Sequence, residues 1–357
     1  MIKLSLVTFA ALPHPSAEGV HMAMMAGALS KAADFELISP MKVWRPKTVS
    51  KSLELFGKGL DGVKHRKFLQ LKPKNTFFLN TVLAVDKTRV YYCRQSYAAD
   101  FFIQKRRRVV LELHGLPTEA EFSFLKKAFN SPYFIALIVI TKSLKVDILE
   151  VIGNRYEDNI HVLPDAADIG RFDYQPLLEQ SLKLKVGYVG SNYPGKGWEI
   201  IELLPERCDN EFHIYGFSHE ANSFSNAKFY GKIPYAQIPE AFNTFDIGLL
   251  PNQPDVIMLG GDNIGKYTSP MKLFEYMASG KVIVASDLPV IKEILKDEHN
   301  ALLVPHDDVR AWVNAINRLD GDRELYRRLQ KQAYSDVCDF YSYRARAERI
   351  VEIVKVK

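Results

Sequence analysis

The segment "YTSPMKLFEYMASGKVIVASDLP", Tyr267 to Pro289, places Lys272 and Glu275 three residues apart in an apolar run. Three residues is one helical turn, so both side chains share a face. Ser269 reads as the N-cap, Pro270 as the first helical residue and Gly280 as the left-handed terminator, which predicts a helix over about 270–279. A cation in the first turn opposes the helix dipole. An external anion at the helix amino end would explain it, with Lys272 on a phosphate and Glu275 accepting from a diol beside it. An ordinary Lys–Glu pair on a helix face has the same spacing.

A second segment, "GYVGSNYPGKGWEII" (187–201), runs from a strand through a turn to Lys196 and a helix. It is neither a Walker loop nor a Gly-x-Gly-x-x-Gly fingerprint, which argues against a dinucleotide-dependent dehydrogenase. With the 267–289 segment it suggests a diphosphate held by two loops. In the first half, Gly19 opens a helix after "HPSAE", and His114 ends a strand in "LELHGLP". A lone histidine there is structural or faces a crevice. The Asp-x-Asp at Asp320–Asp322 falls in a helix-linking turn and reads as a cap, so no metal is expected.

Short apolar runs alternate with helical patterns throughout. One strand series covers 2–9, 35–40, 89–93, 107–114, 134–141 and 160–164. A second covers 183–190, 211–216, 227–233, 246–251, 281–286 and 301–305. Strands apolar on both faces imply parallel sheets covered by helices. Two series imply two doubly wound α/β domains, with ligands at the carboxyl ends of the strands. The polar stretch 166–183 reads as the linker, and the last helical region should break near Asp336–Tyr343.

A length of 357 residues suits two domains, and 47% hydrophobic with 25% charged residues suits a globular enzyme. No apolar run is long enough to span a membrane. "MIKLSLVTFAALPHP" reads as a first buried strand rather than a signal peptide. Three widely spaced cysteines suit neither a disulfide framework nor a metal cluster and favour a reducing compartment.

Charge is uneven: residues 1–178 hold 25 Lys and Arg against 17 Asp and Glu, and 42–108 hold 17 against 4. Lys51, Lys58, Lys64, Arg66 and Lys67 recur with Leu53, Phe56, Leu60 and Phe68, as in an amphipathic helix or two. Such a stretch is a solvated face or lies on an anionic membrane. No nucleic-acid recognition motif accompanies it, so nucleic acid is not expected as a partner.

"TSPMKLFEYMASGKVIVASDLP" resembles the donor-binding segment of family 4 glycosyltransferases. "YVGSNYPGKG", "VLPDAADIGRF" and "ELHGLP" resemble that family's phosphate loop, pre-linker and amino-domain histidine motif. The resemblance implies a GT-B fold, two Rossmann-like domains facing a central cleft, and retaining, metal-independent transfer from a nucleotide sugar to a saccharide or lipid-linked acceptor. It implies an acceptor-binding domain at 1–178, a nucleotide-sugar domain at 179–338, and a helix at 339–357 returning to the first. Glu275 would hold the ribose hydroxyls, and Lys196 and Lys272 the diphosphate. Ile233 and Pro234 would meet the base, and His114 the sugar. Gly19, Ser191, Gly216, Thr268, Ser269 and Met271 would complete the donor site, with Arg94 and His21 on the acceptor side. The family often has a glutamate where Tyr267 stands, an arginine at Ser191 and Asn-Gly at Asp165-Ala166. A non-catalytic nucleotide-sugar-binding scaffold and a sugar-nucleotide epimerase of the same fold are the competing readings.

The basic stretch predicts salt-sensitive binding to an anionic membrane surface, since each basic residue near the leaflet contributes roughly 1 kcal/mol. In sedimentation at low salt, the protein should pellet with anionic vesicles and not with neutral ones. Equal, negligible pelleting with both removes the membrane from the account.

Overall fold

A computed structural model describes the chain except residues 11, 13–15, 42–61, 70–85, 177–182, 192, 217–223, 258–260, 262 and 356–357. The chain forms two compact units, Met1–Pro164 with Tyr343–Lys357, and Asp165–Ser342. The divisions thus fall at Pro164/Asp165 and Ser342/Tyr343.

The first unit holds strands β1 (Lys3–Val7), β2 (Asp34–Met41), β3 (Lys64–Leu69), β4 (Val90–Cys93), β5 (Arg108–Leu113), β6 (Phe134–Val139) and β7 (Ile160–Val162). They form a sheet in the order β3-β2-β1-β4-β5-β6-β7. The second unit holds β8 (Val186–Val189), β9 (Phe212–Tyr215), β10 (Ala227–Phe229), β11 (Ile247–Leu250), β12 (Val282–Ser286) and β13 (Leu302–Val304). These run in the order β10-β9-β8-β11-β12-β13. All pairings are parallel. The strand order reverses between β1 and β4 in one sheet and between β8 and β11 in the other. Those reversals are where an open parallel sheet leaves a crevice for ligand.

Every strand expected from the sequence is present, and β3 is an addition. Lys64, Arg66 and Lys67, expected on an amphipathic helix, lie in this edge strand instead. There the alternation of a pleated strand applies. Arg66 pairs with Glu36 at 3.1 Å, His65 Nε2 meets Ser39 Oγ at 2.8 Å, and Phe68 is buried. The rest of that expectation (Lys51, Leu53, Phe56, Lys58, Leu60) lies outside the described residues. Residues 166–172, the start of the stretch read as linker, instead enter the second unit's core, where Ala167 and Phe172 pack beside Phe242 and Phe274. The cysteines are unpaired thiols.

The closing helix, Tyr343–Lys355, packs in the first unit. Its buried Arg346 donates to the Pro164 and Leu163 carbonyls at 2.9 and 3.3 Å and pairs with buried Glu112 of β5 at 2.7 Å. In the second unit, Gly187 of β8 and Gly248 of β11 are register partners. A Cβ on Gly187 would lie 2.1 Å from the Phe245 ring, and one on Gly248 would lie 2.8 Å from the Tyr276 ring. Two aromatic rings therefore lie directly on the sheet. Tyr276 belongs to helix Met271–Ala278, and its hydroxyl oxygen accepts from Val189 N at 3.0 Å. This docks the helix over the carboxyl end of β8.

Gly187→Ala should force Phe245 from its place, and overpacking of this kind costs typically about 1–3 kcal/mol. A lowered urea midpoint is the expected result; an unchanged midpoint would show that the rings are not set by the missing side chain.

Candidate active site

In the second unit the crevice is built from backbone that tolerates only glycine. At the end of β8, Gly190 N donates to Tyr215 O at 3.0 Å. Gly216 has φ +117°, and a Cβ there would lie 1.6 Å from Gly190 O. Gly195 and Gly197 are left-handed, with the space for their side chains filled by the Asp255 and Pro251 carbonyls. Gln253 N donates to Gly195 O at 2.9 Å. The loop carrying Lys196 is thus pressed onto the segment after β11, and burial lowers the Lys196 pKa.

Lys272 reaches the same place from the docked helix. Its ammonium nitrogen lies 3.9 Å from the Tyr188 ring centroid and 3.1 Å from where a Gly190 side chain would begin. The nitrogen is covered from solvent and makes no hydrogen bond among the described residues. Burial, then the charge of Lys196, holds its pKa well below the ordinary lysine value, while Glu275 pulls the other way. Burial and the charge of Lys196 thus raise the cost of ionising Lys272, a cost that a bound anion would offset.

The helix start differs from expectation. The helix begins at Met271 with Pro270 as cap residue and no side-chain cap. Ser269 is not the cap, because its hydroxyl accepts from Asp165 N at 3.0 Å. The helix amino end therefore lacks an internal side-chain acceptor. Thr268 is buried, and Met271 and Ser191 are half-buried. The Ser191 carbonyl accepts from Tyr188 Oη at 2.8 Å.

Glu275 is only 6% exposed, and one carboxylate oxygen accepts from Tyr235 Oη at 2.8 Å. Burial raises its pKa, opposed by the Tyr235 bond and by Arg171. The Arg171 guanidinium stacks 4.3 Å from the Tyr235 ring centroid and donates to the Tyr235 carbonyl at 3.3 Å. Ile233 packs on the core, whereas Pro234 is exposed. Sequence reasoning missed Tyr235, Arg171 and Tyr188. A tyrosine directly after Ile233-Pro234 was the available signal for the first.

In the first unit the named residues gather around Glu112, which sequence reasoning also missed. Glu112 accepts from Tyr92 Oη and Arg346 on one oxygen. Its other oxygen lies 2.6 Å from His114 Nε2, 3.6 Å from Arg94 and 3.8 Å from His21 Nε2. Burial alone would raise the Glu112 pKa, but Arg346 and the His114 bond hold it well below the usual range. A carboxylate only accepts, so His114 Nε2 carries the proton and Nδ1 faces away from this bond. Burial, then Arg346, holds the His21 pKa well below the ordinary histidine value, with Glu112 opposing. Gly19 lies in the first turn of helix Ala17–Ala32, with its N–H bonded to Ser16 Oγ at 3.2 Å.

His21, Glu112 and His114 bring ligand atoms within 4.8 Å of one another. The two guanidiniums on the same carboxylate make this a poor cation site, since a metal would face Arg346 and Arg94. Of the Asp-x-Asp pair, Asp322 caps the helix Arg323–Phe340, and Asp320 accepts from Leu184 N and Asn210 Nδ2 at 2.8 and 2.7 Å.

Two parallel-sheet Rossmann-like units define an α/β fold of the GT-B class. Solved structures of similar fold include HepE of Anabaena in complex with UDP, with a TM-score of 0.73 and 14% identity over 100% of both chains. They also include TarM, with a TM-score of 0.74 and 12% identity over 99% of both chains. Residues 183–322 match the family model described as glycosyl transferases group 1. The chain is 27% identical over 178 residues to phosphatidyl-myo-inositol mannosyltransferase of Mycolicibacterium smegmatis, covering 46% of this chain and 43% of that protein. The chain thus spans less than half of that relative's length.

A lysine whose folded pKa is depressed destabilises the fold below its unfolded pKa, and the penalty disappears as pH rises to that value. Lys272→Met should therefore raise the thermal midpoint of the ligand-free protein near neutral pH. The gain should shrink as pH climbs toward the ordinary lysine pKa. A variant less stable than wild type at neutral pH would mean that the ammonium already has its counter-charge.

Proposed function

We propose that the chain is a retaining, metal-independent glycosyltransferase of family 4, moving a hexosyl or N-acetylhexosaminyl group from a nucleotide sugar to a saccharide or lipid-linked acceptor. The product would be a cell-surface polysaccharide or glycolipid. The observation that carries this reading is the covered Lys272 ammonium, without a hydrogen-bond partner among the described residues, beside Lys196 at the β8–β11 reversal. Departure of a nucleoside diphosphate develops negative charge on its terminal phosphate. Fixed cations under an uncapped helix amino end stabilise that charge without reorganising at the moment of reaction. The sugar-family match over the same half, and the UDP and saccharide ligands named for the relatives, support the assignment.

Each residue then has a task. Glu275, with an oxygen beyond the Tyr235 bond, accepts from the ribose hydroxyls. His114, held by Glu112, contacts the transferred sugar through its outer ring edge. The leaving phosphate assists deprotonation of the acceptor hydroxyl on the same face of the sugar, so no carboxylate nucleophile is needed. No helix among the described residues is long and apolar enough to cross a membrane. Action at the inner face of a cell membrane would rest on peripheral contact.

UDP and a panel of nucleotide sugars provide the test, by calorimetry and by donor hydrolysis or transfer. Lys196→Ala should lower turnover by about a hundredfold or more. Glu275→Ala should weaken donor binding by roughly 1.5–3 kcal/mol. His114→Ala should reduce turnover with little change in UDP affinity. Wild-type turnover in Lys196→Ala would contradict the diphosphate assignment, and donor binding without any turnover would favour a scaffold.

A further inference from the structure

The cluster around Glu112 has more positive charge than the donor reading uses. Glu112 is fully buried, and two guanidiniums converge on it. Arg346 is satisfied: it has the carboxylate at 2.7 Å and two backbone carbonyls. Arg94 is not. Its side chain is 8% exposed, yet among the described residues it meets the carboxylate only at 3.6 Å and the Met22 sulfur at 3.8 Å. A guanidinium has five donors in a rigid fork. Here it makes no full-strength hydrogen bond to a described residue, and Glu112 is already committed to Arg346, Tyr92 and His114.

Position adds to charge. Arg94 directly follows β4, at the reversal between β1 and β4, where Val7 and Cys93 are register partners. Met22 lies in the second turn of helix Ala17–Ala32, so the electropositive end of that helix adjoins the guanidinium. His114, 25% exposed, gives the cluster an opening. We propose that Arg94, flanked by His114, binds an oxyanion, a phosphate or carboxylate, carried by the acceptor. Calling the bearer an acceptor rests on the glycosyl-transfer reading; the oxyanion site itself does not. The guanidinium fork would take two oxygens of the anion, and the acceptor hydroxyl would be placed beside His114. An acceptor lacking the anion would leave a buried cation without its full complement of hydrogen bonds.

The test uses the full chain with 15N-labelled histidine, following the imidazole signals of His114 and His21 during titration with inorganic phosphate. Saturating UDP is present in one arm, to occupy the lysine pair. Phosphate should shift the His114 signals saturably in both arms. Arg94→Met should weaken that response by about tenfold or more, the loss expected for a charge-assisted bond, while Arg94→Lys should retain part of it. Absence of any shift at the highest soluble phosphate concentration would overturn the site in the wild-type protein, whatever the variants do. If UDP alone produced the Arg94-dependent shift and blocked phosphate, the anion would be the donor's, and the acceptor assignment would fall. Phosphate binding without UDP binding would overturn the transferase reading and leave the oxyanion site standing.

Discussion

The second unit depends on the absence of two side chains. Gly187 and Gly248 face each other across β8 and β11, and their bare backbone lets Phe245 and Tyr276 lie against the sheet. Because Tyr276 sits so low, its hydroxyl reaches Val189 N, and the helix is fixed in height and rotation over the strand ends. Lys272 and Glu275 are then one turn apart on a rigid support. Lys272 is carried over Tyr188 beside the Lys196 loop, and Glu275 is carried to Tyr235. The chemistry proposed for the site is set by how closely a helix can approach a sheet.

The two units solve a similar electrostatic problem differently. In the second, the excess charge belongs to lysines, whose ionisation yields to burial and, at Lys272, to the charge of Lys196. In the first it belongs to arginines, which do not give up their protons. The lysines can respond to burial by a lowered pKa, which a bound anion would raise again. The arginine pair must be charged at all times and is held by one carboxylate. The covered Lys272 ammonium therefore costs stability in the empty protein, whereas Glu112 and Arg346 stabilise each other's charged forms.

The strand framework was legible because parallel strands buried on both faces are written as apolar runs, as in "FIALIV" and "VIVAS". Strand β3 was not, because an edge strand carries charge: in "KHRKF" Arg66 pairs with Glu36 while Lys64 and Lys67 are exposed. Lys196, Lys272, Glu275 and His114 were singled out as candidates by type and local spacing, with their roles supplied by the family resemblance. Ser269 had the residue type of a cap, but a tertiary partner, Asp165 N, took its hydroxyl. Glu112 and Arg346 lie 234 residues apart, and Tyr235 and Glu275 lie 40 apart. Pairings between distant segments leave no periodicity to read, and only the folded chain joins them.

The Arg346–Glu112 pair also has a consequence for biosynthesis. A chain emerging from the ribosome folds domain by domain from its amino terminus. Here the first unit is discontinuous: its carboxylate on β5 is made early, and its guanidinium comes with helix Tyr343–Lys355. Between these events the whole of the second unit is synthesised and can close on itself, since it lies within one uninterrupted stretch, Asp165–Ser342. The unit begun first is therefore the one completed last. Until its final helix docks, Glu112 lacks the arginine that compensates its burial, which leaves the nascent first half dependent on a segment not yet translated.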